Sequence, residues 1–134
     1  SDTTISFGLM SSAMDSRGNL WLGASDGLRF FANLEHIDPA TFDPEKEFIP
    51  VGREEMGGTM VQSLILYDDS TLIAGNQQGL ALIDLKAFYE TGKAAVYFMT
   101  EEDGFTGNGA DQNSIWIDSR KRVWVASDLG AHRF

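Results

Sequence analysis

Residues 14–31, MDSRGNLWLGASDGLRFF, decide the fold because this stretch returns twice more in the chain. It aligns without a gap with residues 66–83, LYDDSTLIAGNQQGLALI, and with residues 117–134, IDSRKRVWVASDLGAHRF. Trp21 and Trp124 coincide in this alignment, and the middle copy has Ile73 at the same position. A glycine follows the second turn in each copy, at Gly27, Gly79 and Gly130. Self-similarity at a period of about fifty residues is typical of a repeat architecture.

Each copy is predicted to form a strand, a turn, a strand, a hairpin and a strand. In the first copy, Asp15 opens a turn whose carboxylate accepts local backbone donors, and Gly18 tolerates positive φ. The apolar run after this turn is rich in strand formers, and Asp26-Gly27 is a strong hairpin signal. The predicted strands, including a fourth strand in two of the copies, lie near residues 11–15, 20–25, 28–32, 47–51, 63–67, 72–76, 80–84, 95–99, 114–118, 123–127 and 130–134.

Two inserts separate the third strand of a copy from its fourth. Residues 84–92 carry Asp84 as an N-cap candidate, several helix formers and Gly92 as a stop, and so predict a short helix. Residues 35–46 contain two Asp-Pro pairs, which predict turns with little regular structure. Each copy has a small residue two places after the Trp21 position, namely Gly23, Gly75 and Ala126. A small residue in a strand indicates that a neighbouring sheet approaches closely there.

Four strands in about fifty residues is the period of a propeller blade. We therefore predict an all-β fold of three four-stranded antiparallel blades packed face to face. The predicted domain is a partial β-propeller over residues 1–134, with blades near residues 11–53, 62–100 and 113–134. The strand-like residues 3–7 have the right composition to complete a blade.

The copies resemble the two-component regulator propeller repeat, in which a strand ends in Asp and a Gly-Asn-Leu-Trp turn and strand precede a Gly-Leu hairpin and an aromatic residue. The first copy matches this pattern at Asp15, Gly18, Asn19, Leu20, Trp21, Gly23, Gly27, Leu28 and Phe31. The third copy matches it at Asp118, Val123, Trp124, Ser127, Gly130 and Phe134. Residues 103–113 look like the loop that precedes blades of this family. The middle copy departs from the pattern, since Ile73 replaces Trp, and it predicts a degenerate blade.

The resemblance implies a location and a class of protein. It implies the periplasmic, extracytoplasmic sensor region of a hybrid two-component sensor histidine kinase of the Bacteroidetes type, anchored in the inner membrane, with its kinase outside this chain. It also implies a ligand that is often derived from glycans. Related blades occur in other bacterial surface proteins, so the resemblance specifies the fold more closely than the function.

Charge and residue usage disfavour several other functions. The formal net charge of −10 disfavours nucleic acid as a partner, because phosphate binding needs a surplus of Lys and Arg on some face. The chain has no Cys and only His36 and His132, so it offers neither a thiolate nucleophile nor a set of His or Cys metal ligands. We therefore predict no catalytic residues, no metal, no cofactor and no enzymatic activity.

A ligand is expected where the turns between second and third strands meet the loops that join the blades. Loops on a rigid scaffold carry function, and concave mouths collect ligands. The candidate ligand-binding residues, for a carbohydrate or another small molecule, are Asp26, Asn76, Gln77, Asn108, Asp111, Asn113 and Asp128. Trp21 and Trp124 are expected in the blade cores, although either could stack on a sugar. The alternatives are a propeller-fold polysaccharide hydrolase or lyase, using acidic pairs such as Glu54-Glu55, and a protein-interaction scaffold.

The repeat also predicts how chains associate. Three blades form only an arc, and each end of the arc exposes a sheet face with the pattern of a buried one, which is unusual for a soluble monomer. Two chains about a two-fold axis would give about six blades, within the roughly four to eight of known propellers. We therefore expect a homodimer through blade faces, in which residues 4–7 of each chain complete the last blade of the other. In the parent sensor chain, further blades would take the place of the second chain.

Overall fold

The computed structural model of the chain describes residues 9–32, 38, 40–52, 55, 60–76, 79–98, 114–127 and 130–133. The described part is mostly β-structure, and the strands pair antiparallel in chain order within each sheet. The first sheet contains β1 (Leu9–Met14), β2 (Leu20–Ala24), β3 (Gly27–Phe31) and β4 (Ile49–Val51). The second contains β5 (Ser63–Asp68), β6 (Thr71–Asn76), β7 (Gly79–Asp84) and β8 (Ala95–Phe98). The third contains β9 (Ser114–Ile117), β10 (Val123–Ser127) and β11 (Gly130–Arg133).

These strands confirm the all-β prediction and the predicted strand positions. Each predicted strand coincides with an observed one, and the first two sheets have the expected four strands in antiparallel order. The third sheet has three strands in the described part of the chain. The strand predicted at residues 3–7, which would complete a sheet, lies outside the described residues.

The three sheets stack through two hydrophobic layers. Trp21, Phe30 and their neighbours on one face of the first sheet share a buried cluster with Leu72 and Ile83 of the second. The other face of the second sheet supplies Ile73, which clusters with residues of the third sheet such as Ile115 and Val123. Alternate residues of β6 therefore face opposite neighbours, as the period of two along a strand requires. This packing confirms that consecutive sheets lie face to face.

The first strands of the three sheets lie together. β1 contacts β5, and β5 in turn contacts β9. The segment that enters the second sheet is fastened to the first, because the Val61 amide donates to the Ala24 carbonyl at 3.0 Å. A Cβ added at Gly23 would lie 2.6 Å from the Val61 carbonyl oxygen, so only glycine fits at that crossing. A close approach is therefore confirmed at Gly23, where the approaching backbone is the segment that leads into the second sheet.

The insert after β7 is the predicted helix, α2 (Leu85–Thr91), and it follows a shorter one, α1 (Pro44–Glu47). The Asp84 carboxylate accepts from the Ala87 amide at 3.0 Å, and Gly92 ends α2 in the left-handed region with φ 77°. The apolar side of α2 buries Leu85 and Phe88 against the first two sheets. α1 corrects the prediction of turns with little regular structure over residues 35–46, because Asp43 before Pro44 opens a single helical turn.

Candidate functional site

The candidate site lies at the sheet edge that carries the β2–β3 and β6–β7 turns. The pairs Leu9–Ala24 and Ala24–Gly27 place the start of β1 beside the first of these turns. The pairs Ser63–Gly75 and Asn76–Gly79 place the start of β5 beside the second turn in the same way. The chain therefore enters the first and second sheets at the edge that carries these turns. We call it the turn edge.

Asp26 is held at the turn edge by a buried cation. The Arg29 guanidinium contacts both Asp26 carboxylate oxygens, at 2.7 and 3.4 Å, and also donates to the Phe48 carbonyl at 2.9 Å. The Arg29 side chain is 7% exposed, whereas that of Asp26 is 41% exposed. The guanidinium thus fixes a carboxylate that still presents its outer side to solvent. A carboxylate in this state can accept hydrogen bonds from hydroxyl groups.

The Asn76 side chain forms a hydrogen bond within its own turn. It is 1% exposed, and its Oδ1 accepts from the Gly79 amide at 3.0 Å, across the β6–β7 turn. This contact is the local side-chain bond by which Asn stabilises tight turns. The structure therefore shows a turn-forming role for Asn76, and its predicted ligand-binding role stays a prediction.

The other five predicted ligand-binding residues are not among those that the structure describes. They belong to the β6–β7 turn, the β10–β11 turn and the connection between the second and third sheets: Gln77, Asn108, Asp111, Asn113 and Asp128. Their assignment to a ligand site stays a prediction. Of the seven candidates, the described part of the chain places Asp26 and Asn76 on equivalent turns of neighbouring sheets.

A repeated polar position near the turn edge was missed by the sequence prediction. In the described part of the chain, Ser11 Oγ, Ser63 Oγ and Gln62 Oε1 are buried without a hydrogen-bond partner. Ser11 pairs with Gly23, and Ser63 pairs with Gly75, so the two hydroxyls occupy equivalent places. The alignment contains the signal, since Ser114 stands at the same position of the third copy. Buried polar groups without a hydrogen-bond partner are rare in folded proteins.

At the opposite edge, the Asp15 turn and α2 form a polar junction. The Asp15 carboxylate accepts from the Arg17 and Asn19 amides and from the Trp21 indole, each at 3.0 Å, and from the Tyr89 hydroxyl. The Arg17 guanidinium lies 4.0 Å from the centre of the Tyr89 ring. Burial, with the hydrogen bond to Asp15 as the next cause, raises the pKa of Tyr89 to about 12. A phenol of this pKa stays protonated at neutral pH, so it can donate to Asp15 but cannot act as a base.

The third sheet repeats the turn, and no helix packs on it among the described residues. The Asp118 carboxylate accepts from the Arg120 and Arg122 amides, from the Arg122 guanidinium and, at 2.9 Å, from the Trp124 indole. The Trp124 indole bond is the largest of the contacts that hold the pKa of Asp118 well below its usual range. Tyr67 replaces this Asp in the middle copy, where Ile73 replaces the Trp. The carboxylate and the indole are therefore present or absent together.

Two surface grooves lie along strands of the first and second sheets. One groove of about 370 Å³ runs along β7 and β8, between Ser70 and Tyr97, and one of about 490 Å³ separates β4 from the segment after α2. Neither groove is lined by Asp26 or Asn76.

In the described residues, His, Asp and Glu side chains form no group of three that could hold a metal ion. The same residues contain no helix with the length and apolar character needed to cross a membrane.

Comparison with known proteins adds no relative. None of the models of known protein families matches the chain, and a search of curated proteins finds no match. The fold and the site described above therefore rest on the chain's own repeats and contacts.

Proposed function

We propose that the three sheets are blades of a β-propeller of the two-component-regulator type, and that the chain is a non-catalytic ligand-binding part of a periplasmic sensor. The observation that carries the proposal is the arrangement of the first strands. In a propeller the first strand of each blade lies nearest the central axis and the blades pack face to face. β1, β5 and β9 are neighbours in chain order, and the two layers between the sheets are apolar.

In the proposed propeller, the turn edge would form the mouth of the central axis. Asp26 offers a carboxylate that is fixed by Arg29 and whose side chain is 41% exposed. A fixed acceptor costs little ordering entropy when a ligand binds. The net charge of −10 disfavours anionic ligands at this mouth, so the proposed ligand is a neutral carbohydrate or a fragment of one.

The geometry gives no support to hydrolysis among the described residues. A glycosidase needs two carboxyl groups facing each other across the scissile bond, one of them with a raised pKa. Asp26 is paired with Arg29 instead, and the carboxylates of Asp15 and Asp118 are engaged by their own turns at the opposite edge. We therefore retain sensing and binding as the proposed role.

Titration calorimetry of the 134-residue chain with a panel of neutral oligosaccharides tests the proposal. We expect binding that weakens about tenfold or more in Asp128→Ala and Asp26→Asn, because each loses a hydrogen bond to a charged group. Asp69→Ala is the matched control, since Asp69 is an acidic residue of the β5–β6 turn at the opposite edge. If Asp69→Ala alone weakened oligosaccharide binding, the ligand site would lie at the edge opposite the turn edge, which would contradict the proposal. New reducing ends in the mixture would favour the hydrolase.

A further inference from the structure

The outer face of the third sheet carries two tryptophan side chains, of which Trp116 is exposed and Trp124 is half-buried. Trp116 and Trp124 pair across β9 and β10, and their rings stack with centres 5.9 Å apart and planes 4° from parallel. Trp116 is 41% exposed. Ile115 and Val123, on the other face of the same strands, pack toward the second sheet. The two tryptophans therefore face away from the stack.

In the first sheet, the face equivalent to the Trp116–Trp124 face is covered by the second sheet. Ala13 and Trp21 occupy the positions of Trp116 and Trp124 in the repeat, and Trp21 is fully buried. Trp21 packs in one cluster with the facing side of the second sheet, and its ring lies 5.0 Å from that of Phe88. The Trp-bearing face of one sheet is thus built to receive the facing side of the next.

The opposite face of the first sheet, which points away from the second sheet, is also partly exposed. By the alignment, Met14 and Leu20 occupy the positions of Leu66 and Leu72, which face the Trp21 side across the first two sheets. Met14 is 55% exposed, and Leu20 is half-buried. Phe42 and Phe48, from the insert before β4, pack on the neighbouring Phe31. The first sheet therefore has a partly covered apolar side that lacks an adjoining sheet in the described chain.

We propose that the Trp116–Trp124 face docks on the Met14–Leu20 side of a second copy of this chain. The contact reproduces the layer between the first and second sheets, so its occupant is a repeat of the same kind, and a second copy supplies one. Two copies related by a two-fold axis make this contact twice, which closes the pair without an open end. The proposal rests on the blade arrangement proposed above and is independent of any ligand.

Light scattering after size exclusion, with the 134-residue chain, tests the pairing. We expect a species of twice 14.7 kDa, which Trp116→Lys and Met14→Glu each convert into a monomer. Tyr97→Lys is the matched control, because Tyr97 is a 56% exposed aromatic residue on β8, in neither face. Circular dichroism of each variant shows that the strands are retained, so a lost dimer is not an unfolded chain.

A mixture of the two variants makes the test sharper. In a mixed pair, one contact opposes the new Lys and the new Glu, and the other contact is unchanged, whereas each variant alone has both contacts altered. We therefore expect the mixture, and neither variant alone, to recover the doubled mass. A monomeric wild-type chain, a dimer that resists both substitutions, or a mixture that stays monomeric would overturn the pairing. Carbohydrate binding would still be measurable in the monomer, so this failure is distinct from failure of the proposed function.

Discussion

At the scale of single residues, the Asp15 carboxylate links three kinds of contact. It holds its own turn through the Arg17 and Asn19 amides, fixes the core indole of Trp21 and accepts from the Tyr89 hydroxyl of α2. The sequence predicted the turn, because Asp at its first position is a common acceptor for local donors. It did not predict the indole bond, because that contact depends on how two strands place a long side chain. The paired occurrence of Asp and Trp in the first and third copies was the available signal.

Asp15→Ala is expected to lower the free energy of unfolding by about 2–3 kcal/mol, since several donors lose a charged acceptor and the indole becomes a buried, unpaired donor. Asp68→Ala is the control, because Asp68 is exposed and accepts from the Ser70 amide of the β5–β6 turn. We expect that variant to lose less than about 1 kcal/mol. Urea denaturation of both variants measures the difference. Equal losses would contradict the linking role of Asp15.

At the scale of elements, the sequence predicted that α2 exists but did not predict its contact with the Asp15 turn. Asp84 and Gly92 bound the helix as expected from their capping chemistry. Tyr89 reaches the Asp15 turn because the two sheets stack, and the two residues lie more than one repeat apart in the sequence. The α1 turn escaped prediction for a local reason, because residues 44–47 are too few to show a helical period.

The Tyr89 contact predicts an alkaline loss of stability. The pKa of Tyr89 is about 12 in the folded chain, against 10.0 for an unperturbed tyrosine, so the unfolded chain ionises first as the pH rises. The stabilising contribution is therefore complete below pH 10 and is lost as the pH rises through about 12. Tyr89→Phe should lack this part of the decline, while the titration of the other tyrosines is common to both proteins. Denaturation curves across this range give the comparison, and parallel declines would contradict the assignment.

At the scale of the whole molecule, the repeat predicted the sheets and left the site less defined. Strand number, order and face-to-face packing follow from period, turn chemistry and alternation, which are local patterns copied three times. The site depends on side chains that diverge between copies. Asn76 illustrates this. The sequence nominates it as a ligand-binding turn residue, whereas in the fold its side chain is buried and accepts a hydrogen bond from the Gly79 amide.

The central claim is that consecutive repeats stack face to face with their first strands together, and nuclear Overhauser spectroscopy of the labelled chain tests it most directly. We expect contacts between the Trp21 indole and the Phe88 ring, which belong to different repeats and whose centres lie 5.0 Å apart. We also expect contacts among Ile73, Ile115 and Val123, across the second layer. Trp21 signals confined to its own sheet, with no contact from Ile73 to the third sheet, would contradict the stacked arrangement.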